Sequence, residues 1–305
     1  MIGNSIAILA LSLALAQPAE THTIKLKKSA KGDIVNIEDS GSIDTAVIGK
    51  DSEGNIFAAE KEKESTTNLY KETIVEMPAG ADKPTSLKRD YSKARKIKND
   101  REETLPYEGK TLWIRQKGDE YNFTIEGGKE LSGNDAEDLD EEFNQPDNFE
   151  QQMELMFAPV SEVKVGDTWK VNGKRLLKCI KEEMARNHKD LSITFDVANT
   201  RASTKLVKVY EKEGRKFAQM NFTLAAPIQA YSGGGVTFTA REGSIYAERI
   251  YFDGCIDGTV SDVVLKLDFQ LKTKAVATNA DGERISASVD MNANRLWKEV
   301  QLKKQ

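Results

Sequence analysis

The amino-acid sequence predicts a mainly β protein: long, curved antiparallel sheets or partly open barrels in two related halves, with a few short helices. Three observations carry this. Segments after residue 215 alternate apolar and polar side chains with the period of a strand. A Gly-Asp pair opens a strand-like run twice, at Gly32-Asp33 and at Gly166-Asp167. Helix-period runs are few and short.

In chain order, the apolar run from Ile6 to Ala16 is too short to span a bilayer and ends in Ala14-Leu15-Ala16, the small-x-small pattern of a cleaved leader. The expected division is a signal peptide over 1–16, a first β-rich half over 17–150 and a second over 151–305. Met1 to Ser5 lack Lys and Arg, so an uncleaved anchor is the alternative. No later apolar stretch is long enough to cross a membrane, so the mature chain is expected without a transmembrane span, periplasmic or secreted.

Ile24 and Leu26 alternate with lysines over Thr23 to Lys28, which predicts a half-buried strand. Runs over 34–37 and 43–48 read as two strands of a hairpin about Asp39-Ser40-Gly41. Asn68 to Met77 reads as another strand. Gly109 to Ile125 reads as a hairpin about Lys117-Gly118-Asp119, with Tyr121, Phe123 and Ile125 on one face.

Two oppositely charged stretches lie between these strands. Lys83, Lys88, Arg89, Lys93, Arg95, Lys96, Lys98 and Arg101 stand against only Asp90 and Asp100. As a docking strip they would meet an anionic polymer or lipid surface; as edge lysines they would discourage aggregation. Glu130 to Glu162 carries many acids and no Lys or Arg, and is expected to form helices over Ala136 to Phe143 and Phe149 to Phe157, lying over the basic strip. Asp138-Leu139-Asp140 lacks the glycine and spaced glutamate of a calcium loop, so no metal site is expected.

At mid-chain, Pro159 ends the second helical run, Val163 and Val165 read as extended chain, and Gly166-Asp167 turns into Thr168-Trp169. Ile180 to Asn187 reads as a helix or a charged connection. Ala218 to Leu224, Val263 to Leu271 and Ile285 to Met291 read as long antiparallel strands with one wet face, the last two joined at Asn279 to Gly282. Cys179 and Cys255 are the only cysteines. An oxidising compartment permits a bridge that closes about 77 residues and stabilises by about 4 kcal/mol; two buried thiols are the alternative.

Residue supply narrows the chemistry. The only histidines, His22 and His188, have no partner at metal-ligand spacing and are expected at the surface, which argues against a zinc hydrolase or a Ser-His-Asp enzyme. Tyr231 to Gly235 lacks the Gly-Lys-Ser/Thr of a phosphate loop and reads as a hairpin loop. No cofactor is expected. A formal charge of −5, from 44 basic and 49 acidic residues, gives no general attraction to nucleic acid.

Phe157-Ala158-Pro159-Val160 and Val163-Lys164-Val165-Gly166-Asp167-Thr168-Trp169 resemble the midpoint signature of a family of uncharacterised exported bacterial proteins of two β-rich halves. Lys205 to Tyr210 and Gly214 to Phe217 fit the same resemblance. It implies an extracytoplasmic, two-part chain and no activity. The sequence thus predicts a non-catalytic envelope protein, a binding or structural module contacting a hydrophobic ligand or an envelope protein. The alternatives are a secreted hydrolase with a carboxylate pair and an anionic-polymer binder through residues 83–101.

Overall fold

The computed structural model describes residues 20–81, 83–144, 149–187, 192–233, 236–278 and 282–302. The leader reading of 1–16, His188 and most of the 279–282 turn lie outside them. Strands dominate: β1 (Thr21–His22), β2 (Ile34–Lys50), β3 (Ile56–Glu76), β4 (Ser86–Lys98), β5 (Arg101–Thr104), β6 (Thr111–Lys117) and β7 (Glu120–Ile125) come first. Helices α1 (Glu137–Phe143) and α2 (Phe149–Phe157) follow, then β8 (Val163–Lys164), β9 (Thr168–Lys170) and α3 (Gly173–Asn187). The chain closes with β10 (Ser192–Phe195), β11 (Arg201–Lys212), β12 (Arg215–Gly233), β13 (Val236–Ala240), β14 (Ile245–Cys255), β15 (Val263–Thr278) and β16 (Arg284–Gln301).

Nearly all of these strands join one antiparallel sheet, in the order β7-β6-β4-β3-β2-β16-β15-β13-β12-β11-β9. β13 and β14 lie end to end between β12 and β15, and β10 and β11 share the other side of β12. The alternating segments of the second half form the strands their period requires.

The tract Asp39-Ser40-Gly41 does not turn. β2 runs through it, paired with β16 on one side and β3 on the other. Asp39 accepts hydrogen bonds from Nε and Nη2 of Arg295, and Ser42 takes a hydrogen bond from Asn294, so the polar residues face cross-strand partners. A Cβ on Gly41 would stand 3.0 Å from the Asn294 carbonyl, so the glycine serves close approach of β16. Of the strand expected over Thr23 to Lys28 only a single bridge forms, from Lys25 to Asp257, with β1 ending just before it at His22. The helix expected from Ile180 begins earlier, at Gly173.

The two Gly-Asp turns match bond for bond. The Gly32 amide donates to the Ile74 carbonyl and the Ile74 amide to that of Asp33, at 2.8 and 2.9 Å. Gly166 and Asp167 make the same pair with Leu206, at 2.8 and 3.0 Å. Each aspartate carboxylate also accepts the amide three residues before it, Ala30 and Lys164 respectively. Positive φ at both glycines, 82° and 96°, is what the turn demands. The residue after each pair starts a strand in equivalent register, Ile34 opposite Thr73 and Thr168 opposite Lys205.

Two apolar cores lie on one face of the sheet. The first is built from β2, β3, β4, β6, β7 and α1, with Leu87, Leu112, Ile114 and Phe123 buried. The second joins β10 to β15 with α2 and α3, around Phe157, Leu206, Phe222 and Phe252. Trp297 on β16 packs against both.

Candidate functional site

Where the two cores meet, the sheet face is incompletely covered. A cavity of about 340 Å³ lies there. Its floor is Val35 and Ile37 of β2, Trp297 of β16, Val263 of β15 and Phe252 of β14. Phe143 at the end of α1 and Met153 of α2 supply apolar walls, and the chain from Leu26 to Ser29 supplies a third side. These positions share one face by register, and that face also carries charge: Trp297 stands between Leu265 and Asp39, and Glu299 between Val263 and Ile37.

Most of the charged groups around the cavity are paired with one another. Arg89, only 3% exposed, meets Glu72 of β3 at 2.8 Å through Nε and grips Glu142 of α1 through both terminal nitrogens at 2.7 and 2.5 Å. Its guanidinium lies 4.4 Å from the Tyr70 ring centroid and 4.7 Å from that of Phe143. Burial opposes charge on both partners, yet Arg89 is held protonated, and its guanidinium holds Glu142 below the ordinary carboxylate range. Burial pushes the neighbouring Tyr91 hydroxyl up to about 12. Arg295 forks onto Asp39 at 2.8 and 3.0 Å. Lys27 meets Asp33, and Lys28 meets Glu154 at 3.4 Å. The arrangement presents a floor of apolar side chains with the Glu299 carboxylate among them, under a rim whose charges are mostly paired.

The basic residues of 83–101 do not form one surface. β4 alternates, and a bulge at Ser92 shifts its register, so Arg89, Lys96 and Lys98 face the helix side while Lys88, Lys93 and Arg95 face the other. Most are spent internally. Arg95 holds Glu102 and Glu108, and its hydrogen bonds draw the Glu108 carboxyl down to about 2. Lys96 bridges Glu64 and Asp138, Lys98 meets Glu62, and Lys83 donates to the Phe143 carbonyl at 3.4 Å. Lys93 and Arg101 are exposed. The strip sits on an interior strand, roofed in part by the acidic helix α1.

Cys179 and Cys255 are thiols rather than a bridge. Cys179 on α3 donates to the Arg175 carbonyl at 3.2 Å, and Cys255 at the end of β14 donates to Asp257 at 3.1 Å, so each points to its own local acceptor. Burial pushes the Cys255 thiol up. His22, expected at the surface, is 7% exposed because β1 pairs it with Val163. Among the described residues no cluster of His, Cys, Asp or Glu has the makings of a metal site, and no helix is long and apolar enough to cross a membrane. Sequence reasoning missed Arg295 and Trp297, although the odd-position alternation of β16 runs directly into them.

No protein-family signature and no curated protein matches the chain. Among solved structures, a mutant porin of Rh. blastica matches with TM-score 0.20 and 7% identity, covering 85% of this chain and 99% of that one. OccK7 (OpdD) of Pseudomonas aeruginosa has TM-score 0.20 and 8% identity, over 89% and 100% of the two chains. An outer membrane channel of Pseudomonas putida F1 has TM-score 0.18 and 9% identity, over 90% and 97%. Likenesses of that size carry no argument about this chain.

Proposed function

We propose that this chain is an exported, non-catalytic binding protein of two related halves, holding the apolar part of a small amphipathic ligand between its two cores. The cavity carries the reading. Its volume, about 340 Å³, falls within the roughly 300–1,000 Å³ of ligand pockets, and its floor joins Val35, Ile37, Trp297, Val263 and Phe252 with the Glu299 carboxylate among them, under a rim of charged side chains that are mostly paired. Export rests on the leader pattern of 1–16, and the two halves on the matching Gly-Asp turns.

A carboxylate-pair hydrolase is the second reading, because Glu72 and Glu142 stand together on the wall. Such an enzyme needs one carboxyl kept protonated near neutral pH. Here both acids share the Arg89 guanidinium, and Glu142 is drawn down rather than up by it. That geometry supports binding over hydrolysis.

Native mass spectrometry of the full chain, titrated with a fatty acid as probe, tests the reading. One bound probe per chain is expected. Replacing Val35 with Trp, which fills the floor, should lower occupancy by about tenfold, equivalent to about 1.4 kcal/mol. Only the mass of the chain alone, at every probe concentration, overturns the proposal.

A further inference from the structure

The sheet face opposite the cavity carries a cluster in which cations outnumber acids. Register places Thr168, Lys205, Asn221, Tyr251 and Lys266 in one row across β9, β11, β12, β14 and β15. A neighbouring row runs Lys170, Ser203, Thr223, Arg249 and Asp268, and the row on the other side runs Lys208, Gln219, Asp253 and Val264. Directly paired residues share a face. The alternate positions Leu206, Phe222 and Ile250 are in the core, so these rows face solvent.

Lys170, Arg201, Lys205, Lys208, Arg249 and Lys266 are all exposed. Among the described residues, no acid lies within ion-pair distance of any of these six. Lys208 leans over the Tyr210 ring at 5.3 Å. Asp253 and Asp268 are the acids in the same rows, leaving a net of four positive charges on a chain whose formal charge is −5. Asp253 is already engaged by Tyr210 and Gln219, at 2.6 and 3.0 Å. Edge lysines often serve to prevent strand pairing, but Arg249 and Lys266 lie on β14 and β15, inside the sheet, where no edge needs protection.

We infer that this face binds a linear anionic polysaccharide. The cations would meet carboxylate or sulfate groups, and Ser203, Asn221 and Thr223 between them would meet sugar hydroxyls. Four inter-strand steps make the face about 19 Å wide, suited to an extended chain. The half-buried tyrosines of this face, Tyr210 and Tyr251, are both tied to Asp253 by their hydroxyls, and Tyr210 is already stacked on Phe217, which makes them poor stacking platforms and disfavours single-stranded nucleic acid. Val207, exposed at the β11 bulge, is the apolar neighbour that a lipid surface would use.

The test is binding of the full chain to a heparin oligosaccharide, to anionic vesicles and to a single-stranded oligonucleotide, each at rising salt. Oligosaccharide binding that salt weakens is expected. Lys205→Glu with Lys266→Glu should weaken it by roughly tenfold or more. Lys93→Glu, in the first half, should leave it unchanged. Circular dichroism and fatty-acid occupancy report whether the double variant is folded; if it is not, Lys266→Glu alone serves. No oligosaccharide binding, no effect of charge reversal in a folded variant, or stronger binding to vesicles or oligonucleotide overturns the inference. Because the cavity lies on the other face, loss of fatty-acid binding and loss of oligosaccharide binding are separate outcomes.

Discussion

Arg89 is a buried cation whose acids come from two distant parts of the chain, Glu72 on the adjacent strand and Glu142 on α1. Arg89→Met strands Glu72, 14% exposed, while Glu142, 38% exposed, keeps contact with water, so the variant should destabilise by about 3 kcal/mol in urea unfolding, the low end for a broken buried pair. A loss below about 1 kcal/mol would place the pair among weak surface contacts. Glu142 adds a pH signature. Its folded-state carboxyl is held below the ordinary 4.5, so its stabilisation is present above that value and is lost as pH falls through the depressed one. Arg89→Met should therefore flatten the acid limb of the stability curve in that window. Leu87-Lys88-Arg89-Asp90-Tyr91 has the alternation that buries Arg89 beside leucine and tyrosine, so its inward direction was legible. Summing the charge of 83–101 as one strip concealed it, because the sum ignores which face each residue takes and the extra residue at Ser92.

At the scale of elements, the paired Gly-Asp turns anchor the start of β2 and β9 to the neighbouring strands. A side chain at positive φ costs about 1–2 kcal/mol, and a Cβ on Gly166 would meet nothing within 4 Å. Gly166→Ala thus isolates backbone strain and should cost about that much; Gly32→Ala should match it if the turns are equivalent. Asp167→Ala removes the carboxylate that accepts the Lys164 amide and should cost about 1 kcal/mol, read by thermal unfolding. A neutral result at Gly166 would remove the argument for equivalence. These turns, the hairpin about Gly118 and helices α1 and α2 were legible because each is specified locally. The unbroken course of β2 was not. Asp39-Ser40-Gly41 has turn composition, and only its distant partners Asn294 and Arg295 reveal that the glycine and aspartate serve cross-strand approach.

Across the whole molecule, two cores share one sheet. β2, from the first half of the chain, pairs with β16, from its end, from Val35 opposite Gln301 to Lys50 opposite Ser286. That ladder could not be read locally, since strand order follows from long-range pairing rather than from alternation. It has a thermodynamic consequence. If either core melted alone, the central ladder would lose the packing on half of its buried face, and Trp297, which touches both cores, would be exposed. Unfolding is therefore expected as one cooperative transition despite the two cores. Leu112, in the first core, and Leu206, in the second, are both fully buried, and truncating either to Ala should cost about 2–5 kcal/mol. Calorimetry should show each variant lowering the same single transition. Two resolved transitions, with Leu112→Ala moving one and Leu206→Ala the other, would mean that the β2–β16 ladder joins independently folding units, and the cavity between them would then change shape as they move.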